Sequence, residues 1–123
     1  MSASLPPAFM PAIDFDGPLP EPTQWRPPAE RVMAGDPLQR AWNLYSSADG
    51  RFHAGIWECA AGKWRVAFTE NEFCQLLAGR IAVTGDDGSQ RTYQAGEAFV
   101  SPAGFSGHWE VLEAARKHYV IYE

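Results

Sequence analysis

Apolar and polar residues alternate in short runs along most of this chain, and turn residues cut the runs. Alternation with a period of two marks a strand with one buried face. It predicts strands over 41–46, 52–59, 63–68, 72–77, 81–84, 90–93, 98–101, 108–112 and 117–122. Ser47-Ala48-Asp49-Gly50 and Asp86-Asp87-Gly88 carry turn and hairpin chemistry. Glycine reaches φ > 0 without strain there, and Asp side chains bond to nearby backbone. Residues 113–116 have room for one helical turn and nothing longer. Short strands at intervals of roughly eight to twelve residues imply an all-β sandwich or barrel.

The first part of the chain reads differently. Nine of the ten prolines fall within the first 37 residues. Proline fixes φ and removes a backbone donor, so 5–37 is neither a regular helix nor a central strand. The chain divides into an extended Pro-rich arm over 1–38 and a barrel over 39–123. Phe9, Ile13, Phe15, Trp25, Val32 and Met33 punctuate the arm. They are expected to pack on the barrel or on a second subunit. That apolar surface, together with strand edges that invite pairing, points to a homodimer.

Composition narrows the partners. A chain of 123 residues with 46% hydrophobic content supports one packed domain. Net charge is −5 and no basic stripe appears, which argues against nucleic acid. No apolar run approaches the roughly 20 residues that span a bilayer. Residues 1–20 lack the basic start and apolar stretch of a secretory signal, so the cytoplasm is the expected location. Cys59 and Cys74 form no CxxC pattern and are expected to pack as small apolar groups.

The most informative spacing runs from Glu72 to Gly107. Six residues separate Glu72 from Gly79, and five separate Gly96 from Pro102-Ala103-Gly104. With Gly55-Ile56-Trp57-Glu58-Cys59 upstream and Phe105-Ser106-Gly107 downstream, this order resembles the small single-domain cupins of the DUF861 type. Those are related to the cupin halves of ureidoglycine aminohydrolases and to an ethanolamine-utilisation accessory protein. The resemblance covers 44–122. It implies a double-stranded β-helix, an RmlC-like jelly-roll barrel. The family pattern also places His-x-His before the Glu and a second His after the Pro-x-Gly, as metal ligands. Counting back from Glu72 reaches Val66 and Phe68, or Arg65 and Ala67 in the other register. The later histidine position holds Gly107, with His108 one residue late.

Strand parity makes that slip matter, because successive side chains face opposite ways. If Gly107 faces inward, so do Trp109 and Val111, and His108 faces out. The same parity puts Trp64, Val66 and Phe68 inside, and Glu72, Cys74 and Leu76 on the next strand. Gly107 is expected to make room for the Trp109 indole. No metal ligand set and no cofactor is predicted. A divalent metal is the alternative only in a register that turns Glu70, Gln75, His53 or His118 inward. Glu72 then reads either as a structural carboxylate tethered by Arg65, Lys63 or an indole, or as a polar anchor or general base. In the second reading it ends an aromatic-walled pocket with Trp64, Trp109 and Phe68 as walls. Lys117 and Tyr119 share a parity that can reach the barrel mouth, and the expected arrangement is a solvated Lys117 beside a core Tyr119. Three functions fit: a barrel binding a small polar metabolite that carries an amine, hydroxyl or ureide group, a metal- or Glu-assisted enzyme, and an accessory protein whose barrel its own side chains fill.

Overall fold

The computed structural model describes residues 9–123, so the first residues of the expected arm lie outside the described part. Among the described residues the strands are β1 (Thr23–Trp25), β2 (Val32–Gly35), β3 (Gln39–Ser46), β4 (Phe52–Cys59) and β5 (Gly62–Ala67). They continue with β6 (Asn71–Gly85), β7 (Gln90–Gln94), β8 (Ala98–Ser101) and β9 (Ser106–Tyr122). The order β1-β3-β4-β9-β5-β2 forms one path, and β6 leaves it to pair with β7, β8 and β9. Every pairing is antiparallel. The result is the all-β, curled jelly-roll barrel that the spacing implied. No helix among the described residues is long and apolar enough to cross a membrane.

Two strands are longer than the alternation predicts. Segments 72–77 and 81–84 are parts of β6, and 108–112 and 117–122 are parts of β9. Residues 113–116 are therefore extended and not a helical turn. The reason is pairing: β6 and β9 run together from Asn71↔Tyr122 to Gly85↔Gly107. Staying extended keeps backbone donors and acceptors bonded across the bend. The register shifts between Leu76 and Ala78, between Ala78 and Arg80, and between Arg80 and Ile81, and these bulges curl both strands. Gly79 sits at the bend with φ of 82°. A Cβ there would collide with the Ala114 carbonyl oxygen and lie 2.7 Å from the Ala115 Cα. The glycine of the Glu-x6-Gly spacing thus permits the crossing of two backbones.

The bend splits the role of β9. Its first half pairs with β5 and the end of β6, and its second half pairs with β4 and the start of β6. Side chains from all four strands meet inside the curl. Trp57, Trp64, Cys74, Leu76, Ile81, Trp109, Val111 and Tyr119 form that core. The predicted parity holds: Glu72, Cys74 and Leu76 are buried while Phe73, Gln75 and Leu77 are exposed. Gly107, Trp109 and Val111 are buried together.

The Pro-rich segment contributes only short edges, as residues without backbone donors must. β1 pairs with β3, and β2 pairs with β5 after a 3-10 turn at Ala29–Arg31. Phe15 packs edge-on against His118, with ring centroids 4.9 Å apart. Phe9, Ile13, Trp25 and Met33 remain exposed on this one chain.

Candidate functional site

A cavity of about 540 Å³ opens into the barrel. Trp25, Pro28 and Arg31 of the arm are among its lining residues. Trp57, Trp64, Phe68 and Trp109 supply aromatic walls, and Gln39, Glu72, Lys117 and Tyr119 supply buried polar groups. All four predicted site residues, Glu72, Trp64, Trp109 and Phe68, line this one space. Trp109 and Phe68 line this space, although Trp109 itself is almost fully buried.

The polar centre departs from expectation. Glu72 is 8% exposed, and neither Arg65, Lys63 nor an indole tethers it. Its partner is Lys117, which is 2% exposed, with Nζ 2.9 Å from Oε2. Arg65 pairs instead with Asp86, at 2.9 Å. Lys117 is thus a buried cation and not a solvated one. It sits on β9 at the same inward parity as Trp109 and Tyr119. A buried lysine is rare unless paired, so a lysine beside a core tyrosine reads as solvated by default. The overlooked signal is that a carboxylate predicted inside a barrel demands a counter-charge.

Four groups enclose the ammonium. Besides Glu72 it donates to Cys74 Sγ at 3.3 Å. The ring centroids of Trp57 and Trp109 each lie 4.3 Å from Nζ. Cation–π contacts are strongest when desolvated, as here. Burial pushes the Cys74 thiol up to about 12, with Glu72 adding to the shift and Lys117 opposing it. Cys74 is therefore a thiol at neutral pH and donates to the same Glu72 Oε2, at 3.4 Å. Burial works against the charge on Lys117, and the Glu72 carboxylate, with the hydrogen bond to the Cys74 sulfur, outweighs it, so the ammonium is held above its ordinary value. With a neutral thiol beside it, the carboxylate alone balances that charge.

The surrounding groups are fixed by their own bonds. Trp57 Nε1 donates to Gln39 Oε1 at 2.8 Å, and the Tyr119 hydroxyl donates to Asn43 Oδ1 at 2.9 Å. Burial, with the Glu72 charge nearby, pushes Tyr119 up to about 12 against the pull of Lys117. Trp109 stands among Phe68, Phe99, Trp57 and Trp64, with centroids 5.6 to 6.3 Å away. Its Nε1 is buried without a hydrogen-bond partner among the described residues. Glu72 Oε1 accepts no hydrogen bond from the described residues, and Glu72 is among the residues that line the cavity.

The donor set does not fit a divalent metal. Such a site needs several imidazole or carboxylate donors converging at about 2 Å. Val66, Phe68 and Gly107 stand at the positions that would supply them, and an ammonium faces the retained Glu72. His53 and Glu70 line the same cavity as Glu72, but His53 bonds to Ser46 and Glu123 and Glu70 takes the Thr69 hydroxyl, while His118 faces Phe15 and Gln75 is exposed. No three His, Cys, Asp or Glu residues converge among the described residues. His108 faces away from the cavity, and burial with Lys63 and Arg65 nearby holds its pKa below the ordinary value.

Gly107 has a reason of its own, different from the one expected. A Cβ there would collide with the Thr84 carbonyl oxygen and lie 2.9 Å from the Gly85 Cα. The missing side chain makes room for the backbone of β6, not for the Trp109 indole. Gly107→Ala is expected to lower stability by about 1–3 kcal/mol, the usual range for overpacking. A urea midpoint equal to wild type would contradict this close approach.

The wider comparisons agree with this architecture. The family model described as the EutQ-like cupin domain matches residues 46–119. No curated protein matches the chain. The EutQ protein of Clostridium difficile is similar in structure, with TM-score 0.62 and 20% identity over 70% of this chain and 68% of that one. A DUF861 family protein of unknown function from Pseudomonas syringae pv. tomato has TM-score 0.78 and 21% identity. That likeness covers 89% of this chain, which spans only 46% of the Pseudomonas protein. A DUF861 family protein from Thermotoga maritima is 36% identical over 52% of this chain and 73% of that one, with TM-score 0.51. The first two likenesses speak for the fold alone. With the family match extending over more than half its length, the chain belongs to the EutQ-like cupins.

Proposed function

We propose that the barrel binds a small polar metabolite, with Glu72 as its anchor and Trp64, Trp109 and Phe68 as walls. One observation carries this reading: the cavity lining includes a buried carboxylate with one oxygen tied and the other without a protein donor among the described residues. Oε2 is held by Lys117 and Cys74, while Oε1 has no protein donor among the described residues. Apolar walls with few placed polar groups are the usual make-up of a small-molecule site. The anchor receives a ligand hydroxyl, amide or ureide N–H. Glu72→Gln keeps the shape and removes the charge. Metabolites found by thermal shift are expected to bind Glu72→Gln at least about tenfold more weakly in calorimetry. Unchanged affinity would remove the carboxylate from the site, and equal binding by Trp64→Leu would remove the wall.

The same preparations answer a second question. Phe9, Met10, Ile13, Trp25 and Met33 are exposed, which supports a second copy of the chain as their cover. Light scattering is expected to read a dimer of the 13.6 kDa chain. A monomer with an intact ligand response would separate the pocket from this assembly.

A further inference from the structure

The groups around Lys117 form a cation site whose cation belongs to the chain. A carboxylate oxygen lies 2.9 Å from the ammonium and a sulfur 3.3 Å away. Two indole rings lie 4.3 Å from it. An acceptor oxygen, a sulfur and two π faces would suit any alkylammonium of the right size. Here the backbone of β9 delivers one. The positions from which metal ligands would come hold Val66, Phe68 and Gly107, and Glu72 alone is kept.

We propose that Lys117 is a built-in replacement for a bound metal ion: its ammonium takes the cation position beside Glu72 and closes the pocket floor to divalent metals and to cationic ligands. A second cation at Oε1 would share one carboxylate with Lys117. Repulsion between two such charges is poorly screened in a cavity walled by indoles. The ligand group that fits is therefore an uncharged donor, a hydroxyl or an amide or ureide N–H, and not an amine. This last step rests on the pocket reading above; the replacement of the metal does not.

Lys117→Ala removes Cγ, Cδ, Cε and Nζ, which together are the atoms of propylammonium. The full chain, as wild type and as Lys117→Ala, is titrated with propylammonium chloride by calorimetry and thermal melting. Wild type is also titrated with manganese and nickel chlorides. Wild type is expected to take up neither the amine nor a metal at the barrel centre. Lys117→Ala is expected to bind one propylammonium per chain, to melt several degrees higher with it, and to lose both effects when Glu72→Gln is added. If Lys117→Ala folds poorly, its refolding yield in propylammonium chloride against sodium chloride at equal ionic strength gives the same reading. A gain supports the proposal and no gain overturns it. Stoichiometric metal in wild type that disappears in Glu72→Gln also overturns it. Propylammonium is a fragment of the chain and not of a metabolite, so the result is independent of whether the pocket binds one.

Discussion

Lys117→Met is expected to remove about 3–5 kcal/mol of folding stability, the range for breaking a buried ion pair from one side. The change keeps most of the side-chain volume, so packing against Trp57 and Trp109 survives. What remains is a Glu72 carboxylate, 8% exposed, without its cation. Cys74 still donates to Oε2, and a neutral thiol cannot replace an ammonium there. Two cation–π contacts are lost as well. Domains of this size have about 5–15 kcal/mol in total, so the variant stands close to unfolding at room temperature. The second half of the expectation is recovery. Lys117→Met with Glu72→Gln removes both charges, and replacing a buried pair by uncharged groups is often neutral. The two single variants and the double variant form a cycle that reads the coupling directly. Urea denaturation of the four proteins is the measurement. A Lys117→Met midpoint within error of wild type would mean that Glu72 finds water or another partner. A double variant weaker than both singles would mean that the pair is not the source of the loss.

Stability is expected to fall steeply as pH rises from about 9 toward 12. Burial pushes Cys59 and Cys74 up to about 12 from an ordinary 9.0, and pushes Tyr119 up to about 12 from 10.0. In that window the unfolded chain sheds these protons while the folded chain keeps them. The unfolded state then binds fewer protons, so stability decreases with rising pH. The contribution is fully present below the unfolded values and is lost as pH rises through the folded ones. Lys117 has the same sign, because its folded value lies above 10.5 and its pairing with Glu72 is lost only beyond it. Urea midpoints between neutral pH and about pH 11 test the slope. Cys59→Ala is expected to flatten part of it without touching the Glu72–Lys117 pair. A profile that stays level to about pH 11 would contradict the burial of all three acids.

Much of this molecule is visible in the order of its residues, and the division follows from the range of the interactions. Side-chain alternation is a property of consecutive residues in one strand. That is why Glu72, Cys74 and Leu76, and likewise Gly107, Trp109 and Val111, could be assigned to the interior from spacing. Turn positions such as Asp86-Asp87-Gly88 are equally local. The family spacing from Glu72 to Gly104 indicated the barrel and, through Val66, Phe68 and Gly107, the missing metal ligands. Other features depend on which strands become neighbours. Residues 113–116, which had room for one helical turn, joined β9 because β6 lay alongside. The need for glycine at 107 came from the Thr84 backbone, on a different strand. Lys117 carried the right parity for the interior, and a lysine alone in a sequence is still read as solvated.

From residue order alone came the all-β barrel, the inward stripe of each strand, and Glu72 as a buried carboxylate between indoles. Closure of β6 against β9 settled the rest. It brought Lys117 to Glu72 and put a backbone where a histidine would need space. A charge inside a barrel is governed by what lies within a few ångströms of it, and those neighbours are assembled only when distant strands meet.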